Sequence, residues 1–134
     1  TWFVTGSADF PTFSASIKVP EAKVRITSHG VCDAVIKSRG MKIAWTPQGE
    51  SDCVVMIGVS STDLRARTPV YHLAATTDDG SYTIPASVFS GLEDQKFTLS
   101  VSRGRYSIGY LPDGRKYLVS MYSECNVDLR LVDR

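Results

Sequence analysis

Two histidines are the residues of this chain that could act as the base in hydrolytic chemistry. A nucleophile triad needs a serine or cysteine, a histidine and an acid brought together. His29 lies in the polar stretch Ser28-His29-Gly30, His72 lies inside an apolar run, and the sequence contains no Gly-x-Ser-x-Gly elbow. The simpler interpretation is a loop histidine and a packed histidine. We therefore predict that the chain is not an enzyme and has no catalytic residues.

The acidic residues that could pair for glycoside hydrolysis or bind a metal lie mostly in predicted turns. They are Glu50, Asp52, Asp78, Asp79, Glu93 and Asp94. Acids in turns are usually solvated or cap nearby backbone N–H groups. The adjacent Asp78 and Asp79 could help to bind Ca²⁺ with loop carbonyls, but two neighbouring acids do not specify such a site. We predict no metal and no cofactor.

The three cysteines, Cys32, Cys53 and Cys125, fit no zinc motif, because the sequence has neither Cys-x-x-Cys nor a paired histidine. One disulfide with a free thiol and three reduced thiols are both compatible with their spacing. Cys53 and Cys125 share alternation parity with neighbouring apolar residues and are predicted to point inward. Cys32 lies in a polar loop.

The residues best suited to binding are concentrated near the end of the chain, from Arg103-Gly104-Arg105-Tyr106 to Tyr122. The candidate binding residues are Arg103, Arg105, Tyr106, Tyr110, Arg115 and Tyr117. Tyrosine and arginine are favoured at binding hot spots, and arginine pairs with carboxylates. The alternative is a terminal hairpin whose tyrosines cover a sheet edge while its cations stay solvated and discourage sheet-to-sheet pairing.

Length and charge set bounds on the function. The 134 residues suffice for one domain with its own core. The formal net charge of +1 gives no sign of the basic face that a dedicated nucleic-acid binder uses to neutralise phosphates. No apolar run approaches the roughly 18 residues needed to cross a bilayer. We expect neither nucleic-acid binding nor membrane insertion.

Alternation with a period of two dominates the chain and predicts strands with one buried and one solvated face. Clear runs lie at 13–19, 23–27, 41–46, 97–103 and 127–131. Two further segments, 53–59 and 70–75, are apolar on both faces and are interpreted as central or covered strands.

Turn residues separate these runs. Leu111-Pro112-Asp113-Gly114 lies between 106–110 and 116–122 and predicts a hairpin, because proline presets φ and glycine accepts a left-handed conformation. Only the segment 85–92 is predicted to be helical, as a single turn. We predict one domain over 1–134, an all-β antiparallel sandwich of about eight to ten strands, with 1–11 as a loosely attached N-terminal arm.

Three stretches of the sequence resemble bacterial secreted β-sandwich domains of the immunoglobulin-like or fibronectin-type-III-like sort. They are Met41-Lys42-Ile43-Ala44-Trp45-Thr46, the run 79–92 that begins Asp79-Gly80-Ser81-Tyr82, and the run 97–103. The resemblance implies an immunoglobulin-like sandwich outside the cytoplasm, at the cell surface or in the periplasm, with no catalytic residues to transfer. The disulfide of true immunoglobulin domains is not expected, because Ile84 stands where the second cysteine belongs.

These observations favour a non-catalytic extracytoplasmic module that mediates protein–protein contact, or self-assembly, in a bacterial surface or envelope assembly. Exposed sheet edges would allow a partner strand to add by β-augmentation. The alternative is a carbohydrate-binding module in which Tyr106, Tyr110 and Trp2 stack on sugars.

Overall fold

The structure, a computed structural model, describes residues 1–62, 70–92 and 95–133, and this part of the chain forms nine strands and one short helix. They are β1 (Trp2–Val4), β2 (Phe13–Ala15), β3 (Ala34–Ile36), β4 (Met41–Ala44), β5 (Val54–Ser61), β6 (Val70–Thr76), β7 (Ser81–Ile84), α1 (Ala86–Ser90), β8 (Lys96–Tyr110) and β9 (Lys116–Val132). The chain is mostly β, as predicted. The helical turn predicted at 85–92 is α1, which begins after Pro85 and ends at Ser90, followed by Gly91 as its C-cap.

The strands form one large and two small sheets. The large sheet has the order β3-β9-β8-β5-β6, while β4 pairs with β7 and β1 pairs with β2. Every pair is antiparallel except β3 and β9, which run parallel with Ala34 opposite Arg130. The prediction of a wholly antiparallel arrangement is therefore wrong for this pair. Since β3 and β9 are far apart in the chain, no short turn requires them to run in opposite directions.

The predicted hairpin at 111–114 is confirmed, and it joins the two longest strands of the molecule. The N–H of Leu111 donates to the carbonyl of Arg115 at 2.8 Å, and the N–H of Gly114 donates to the carbonyl of Leu111 at 2.9 Å. Gly114 has a φ of 86°, a value that residues with a Cβ rarely adopt. The β8–β9 ladder is continuous from Lys96, opposite Arg130, to Tyr110, opposite Lys116.

One hydrophobic core joins the large sheet to the β4–β7 pair and to α1. It contains Trp45 directly after β4, Leu99 on β8 and Leu129 on β9, as predicted from the alternation of the sequence. Phe89 of α1 packs against Phe97 with ring centroids 5.4 Å apart, and both side chains are completely buried. The large sheet, the β4–β7 pair and α1 therefore share a single interior.

The β1–β2 pair forms a ribbon that packs on the end of the β8–β9 hairpin. The Phe13 ring lies 4.6 Å from the Tyr117 ring, and the guanidinium of Arg115 lies 5.0 Å above the Phe10 ring. The Arg115 guanidinium also donates to the carbonyl of Asp9 at 3.0 Å. Residues 1–11, predicted to be a loose arm, are thus connected to the body both through β2 and through the hairpin.

Candidate functional site

Most of the candidate binding residues lie in the half of the β8–β9 hairpin that contains the turn. We call this half, residues 104–122, the distal hairpin. Residues directly opposite each other in an antiparallel pair share a face, and successive residues alternate between faces. Phe97, Leu99 and Val101 of β8 point into the core. Odd-numbered residues further along β8 continue this inner face, whereas even-numbered residues form the outer face.

Arg103 lies on the inner face and is completely buried. Its Nη2 donates to Asp78 Oδ1 at 2.9 Å, and its Nε lies 2.9 Å from Asp78 Oδ2. The guanidinium also donates to the carbonyls of Thr46 and Ala22. A charge without solvent is costly unless it is paired and hydrogen-bonded. Nη1 and Nη2 of Arg103 make hydrogen bonds, whereas Nε is buried beside Asp78 Oδ2 without a hydrogen bond, so the ion pair compensates for its burial.

Asp78 holds this arrangement together from the turn between β6 and β7. It accepts a hydrogen bond from Trp45 Nε1 at 2.9 Å and one from the N–H of Gln48 at 3.0 Å, in addition to the one from Arg103 Nη2. Burial by itself raises the pKa of Asp78, but the hydrogen bonds from Arg103, Gln48 and Trp45 outweigh it, so that the pKa lies below its usual value. Asp78 is therefore an ionised structural partner of Arg103.

Arg105 forms a second cluster two residues further along the same face, in which the side chains of Arg105 and Glu50 are largely buried and that of Asp52 is exposed. It makes a two-pronged contact with Asp52, from Nε at 2.8 Å and from Nη2 at 3.0 Å, and Nη2 also donates to Glu50 Oε2 at 2.5 Å. Its Nη1 donates to the carbonyl of Val19 at 2.8 Å. Such two-pronged arginine–carboxylate contacts are strong and directional. Together with the hydrogen bond to Val19, the contact with Asp52 connects β8 to two loops.

Cys53 adds a thiol to the second cluster. Its Sγ donates to Glu50 Oε2 at 2.9 Å. Burial, together with this hydrogen bond to Glu50, raises the pKa of Cys53 to about 11. The hydrogen bond from Cys53 in turn lowers the pKa of Glu50, and the one from Arg105 lowers the pKa of Asp52. The thiol is therefore protonated and the two carboxylates are charged at neutral pH.

Glu50, Asp52 and Cys53 bring three possible metal-ligand atoms within 4.8 Å of one another. Both carboxylates already accept hydrogen bonds from Arg105, and the thiol carries its proton. A cation would have to displace the guanidinium to enter this group. The arrangement is explained by its ion pairs.

The burial of Arg103 and Arg105 corrects the sequence-based interpretation, which placed both on an exposed binding surface. They are buried because they share the alternation parity of Phe97, Leu99 and Val101 and therefore point inward. Parity counted across Gly104 would have revealed this. The turn acids were expected to be solvated or to cap backbone N–H groups. Glu50 and Asp78 each accept a backbone N–H, but they are not solvated, because each is also the partner of one of these arginines.

The outer face of the distal hairpin is apolar and exposed. We call its five large side chains the hairpin face: Tyr106, Ile108, Tyr110, Leu118 and Tyr122. Ile108 and Leu118 lie directly opposite each other and are 64% and 63% exposed. Tyr110 is 66% exposed, Tyr122 56% and Tyr106 44%. Large apolar side chains in one contiguous patch are typical of an interaction surface.

The remaining candidates lie outside the hairpin face. Tyr117 is on the inner face, opposite Gly109, and contacts Phe13. Arg115 lies in the turn and forms an ion pair with Asp113 at 2.7 Å. Trp2 is half exposed on β1, in the ribbon that covers the inner side, so the structure does not bring it together with Tyr106 and Tyr110.

The histidines and the other cysteines have local environments. Ser28 Oγ lies 2.7 Å from His29 Nδ1, and the Tyr82 hydroxyl lies 3.4 Å from His72 Nε2. All three cysteines are free thiols; Cys32 is exposed with a φ of 66°, and Cys125 is partly buried. The one-disulfide alternative is therefore not what the structure shows.

Two acids from the sequence analysis, Glu93 and Asp94, lie outside the described residues. The neighbouring Asp79 behaves as predicted for a turn acid, since it accepts the N–H of Ser81 at 3.3 Å. Because its neighbour Asp78 is committed to Arg103, the pair does not present two free carboxylates to Ca²⁺.

Comparison of the chain with known protein families, characterised proteins and solved structures finds no match. Within the described residues, no helix has the length and apolar character needed to cross a membrane. The function is therefore inferred from the geometry of the distal hairpin.

Proposed function

We propose that this chain is a non-catalytic binding module that contacts another protein through the hairpin face. The observation that supports the proposal is the exposure of Ile108 and Leu118, opposite each other at the centre of a face bordered by three tyrosines. Exposing this much apolar surface costs free energy in water, at about 25 cal/mol per Å². A protein partner that covers the face would remove that cost.

The composition of the face favours a protein over a sugar. Tyrosines are enriched at protein interfaces because they combine apolar area with a hydroxyl. Sugar binding requires polar groups that converge beside the stacking ring, whereas the centre of this face is a branched aliphatic pair. The exposed Tyr106 and Tyr110 keep a carbohydrate-binding module as the second candidate, without Trp2.

The assembly proposed for this module is a bacterial surface or envelope structure, and the proposed fold is immunoglobulin-like. The compartment rests on the resemblance of segments such as 41–46 and 79–92. The fold proposal is supported by the shared core of the β4–β7 pair and the large sheet. The parallel pairing of β3 with β9 departs from a purely antiparallel immunoglobulin-like arrangement.

Site-specific photo-crosslinking in the cells that produce the protein tests the function. A photo-reactive amino acid is placed at position 118, in the hairpin face, and at position 126, an exposed polar site on the same face of β9. We expect a discrete protein adduct from position 118 and none from position 126. Adducts at both positions, or at neither, would overturn the proposal. A glycan array that retains the protein through Tyr106 and Tyr110 would instead support the carbohydrate alternative.

A further inference from the structure

The hairpin face is large enough to form an interface with a second surface of equal size. An aromatic side chain can bury about 150–250 Å². Because the five side chains of the hairpin face are roughly half to two-thirds exposed, they offer on the order of 500 Å² in total. Two such faces together would remove on the order of 1,000 Å² from water, which is about the lower limit for a specific interface.

Two charges of opposite sign, neither of them in an ion pair, lie at the two ends of this face. Lys116 is opposite Tyr110 at the turn end, and Glu124 is opposite Ser102 at the end nearer the core. Both are exposed, and neither forms an ion pair with any residue that the structure describes. They are eight residues apart on β9, which corresponds to about 27 Å along the strand.

We propose that the partner of the hairpin face is the hairpin face of a second copy of this chain. This inference rests on the proposed function and names the partner. The two copies are related by a two-fold axis that passes across the strands at the level of Tyr106 and Ser120. This axis reverses the strand direction, so that Lys116 of each copy faces Glu124 of the other.

The same operation matches the apolar side chains. Counted from Ser120, Leu118 and Tyr122 are equally far away in opposite directions, so Leu118 of one copy packs on Tyr122 of the other. Ile108 is placed over Gly104, where Tyr122 Cβ and the Tyr106 ring lie within 3.5 Å of the position that a side chain would occupy. A two-fold interface is self-complementary in this way, and the two ion pairs at its rim fix the orientation.

The opposite charges allow a test by charge exchange. Sedimentation velocity is recorded for the wild type and for Lys116→Glu and Glu124→Lys, from about 1 µM to about 1 mM, which covers the affinities expected for a small interface. Each single variant places like charges at both rim contacts, and we expect its dimer to weaken on the order of tenfold or more. Lys42→Glu, an equal charge change at an exposed site on β4, serves as the matched control and should dimerise like the wild type.

The decisive sample is an equimolar mixture of the two variants. In a mixed pair, the acid introduced at position 116 faces the base introduced at position 124, and the unchanged Lys116 and Glu124 face each other at the second rim contact. Dimerisation should therefore return to near the wild-type level. A mixture that stays monomeric, or single variants that dimerise normally, would overturn this geometry.

A wild type that is monomeric throughout the concentration range would overturn self-association. In that case a cross-linked adduct from position 118 to a different protein would leave the proposed function standing.

Discussion

The two faces of the β8–β9 hairpin differ in which kind of side chain is buried. The difference is the reverse of what most proteins show between interior and surface. On the inner face, the charged Arg103 and Arg105 are buried. On the outer face, the aliphatic Ile108 and Leu118 are exposed. Charged side chains are seldom fully buried, and contiguous apolar patches are seldom left open.

The difference teaches how each face is used. The two guanidiniums donate to three backbone carbonyls and to three carboxylates. The carbonyls are those of Val19, Ala22 and Thr46, and the carboxylates are those of Glu50, Asp52 and Asp78. Such contacts are directional, so they fix where the loops lie against β8. Apolar contacts are not directional, and the five side chains of the hairpin face stay largely open to solvent in the described chain. The inner face therefore positions the hairpin, and the outer face remains available.

The largest expected effect comes from breaking the buried cluster of Arg103 and Asp78, the first of the two arginine clusters. Arg103→Met leaves the Asp78 carboxylate buried without its cation, and we expect a loss of about 3–5 kcal/mol in the free energy of unfolding. The double variant Arg103→Met/Asp78→Asn should be more stable than this single variant, because the amide still accepts the Trp45 hydrogen bond without a charge. Urea unfolding measures both. A single variant as stable as the wild type would mean that the cluster does not support the fold.

The second effect compares isoleucines of identical chemistry on β5 and on the hairpin face. Ile57 is completely buried, and Ile57→Ala should cost about 2–5 kcal/mol through lost burial and a cavity. Ile108→Ala should change the free energy of unfolding of the monomer by no more than about 0.5 kcal/mol. The measurement is urea unfolding at a concentration where the protein is monomeric. Equal losses at the two positions would show that the hairpin face is covered by the chain itself.

The third effect is the acid dependence of the first cluster. The folded pKa of Asp78 lies below its unfolded value of about 3.9. At pH values between these two pKa values, the folded state thus binds fewer protons than the unfolded state. The contribution of Asp78 is fully present above about pH 4 and is lost as the pH falls through its folded pKa. The free energy of unfolding is measured between about pH 6 and pH 2. As the pH is lowered, it should fall less steeply for Asp78→Asn than for the wild type. If the free energy of unfolding depends on pH in the same way in both proteins, Asp78 does not contribute to the loss of stability in acid.

Local pattern was enough to predict most of the strands and the core. Alternation placed Trp45, Leu99 and Leu129 in a common interior, and the turn residues at 111–114 located the hairpin. These features depend on contacts between chain neighbours or on the simple period of a strand. The three-residue β3 and its parallel pairing with β9 could not be predicted, because that pairing depends on residues about a hundred positions apart.

The candidate site was predicted only in part, for a related reason. All four of Arg103, Arg105, Tyr106 and Tyr110 were predicted to be exposed. The prediction is confirmed for the two tyrosines and wrong for the two arginines. The alternating run at 97–103 and the hairpin strand at 106–110 were predicted as separate segments, so the inward parity of 97–101 was not carried through to 105. A charged residue at an inward position also requires partners, and Asp78, Asp52 and Glu50 are distant in the chain. Their role became visible only in three dimensions.

The smallest expected effect distinguishes the buried thiol of the second cluster from an exposed one. Cys53 donates to Glu50 and has a pKa of about 11, above the unfolded value of about 8.5. At pH 8, a disulfide reagent should modify the exposed Cys32 readily and Cys53 only after unfolding, because the thiolate is the reactive form. Because the folded pKa is raised, the stability that this thiol contributes is present below about pH 8.5 and is lost as the pH rises through about 11. Cys53→Ser should lack that alkaline loss, and rapid labelling of Cys53 in the folded protein would show that the Arg105 cluster opens in solution.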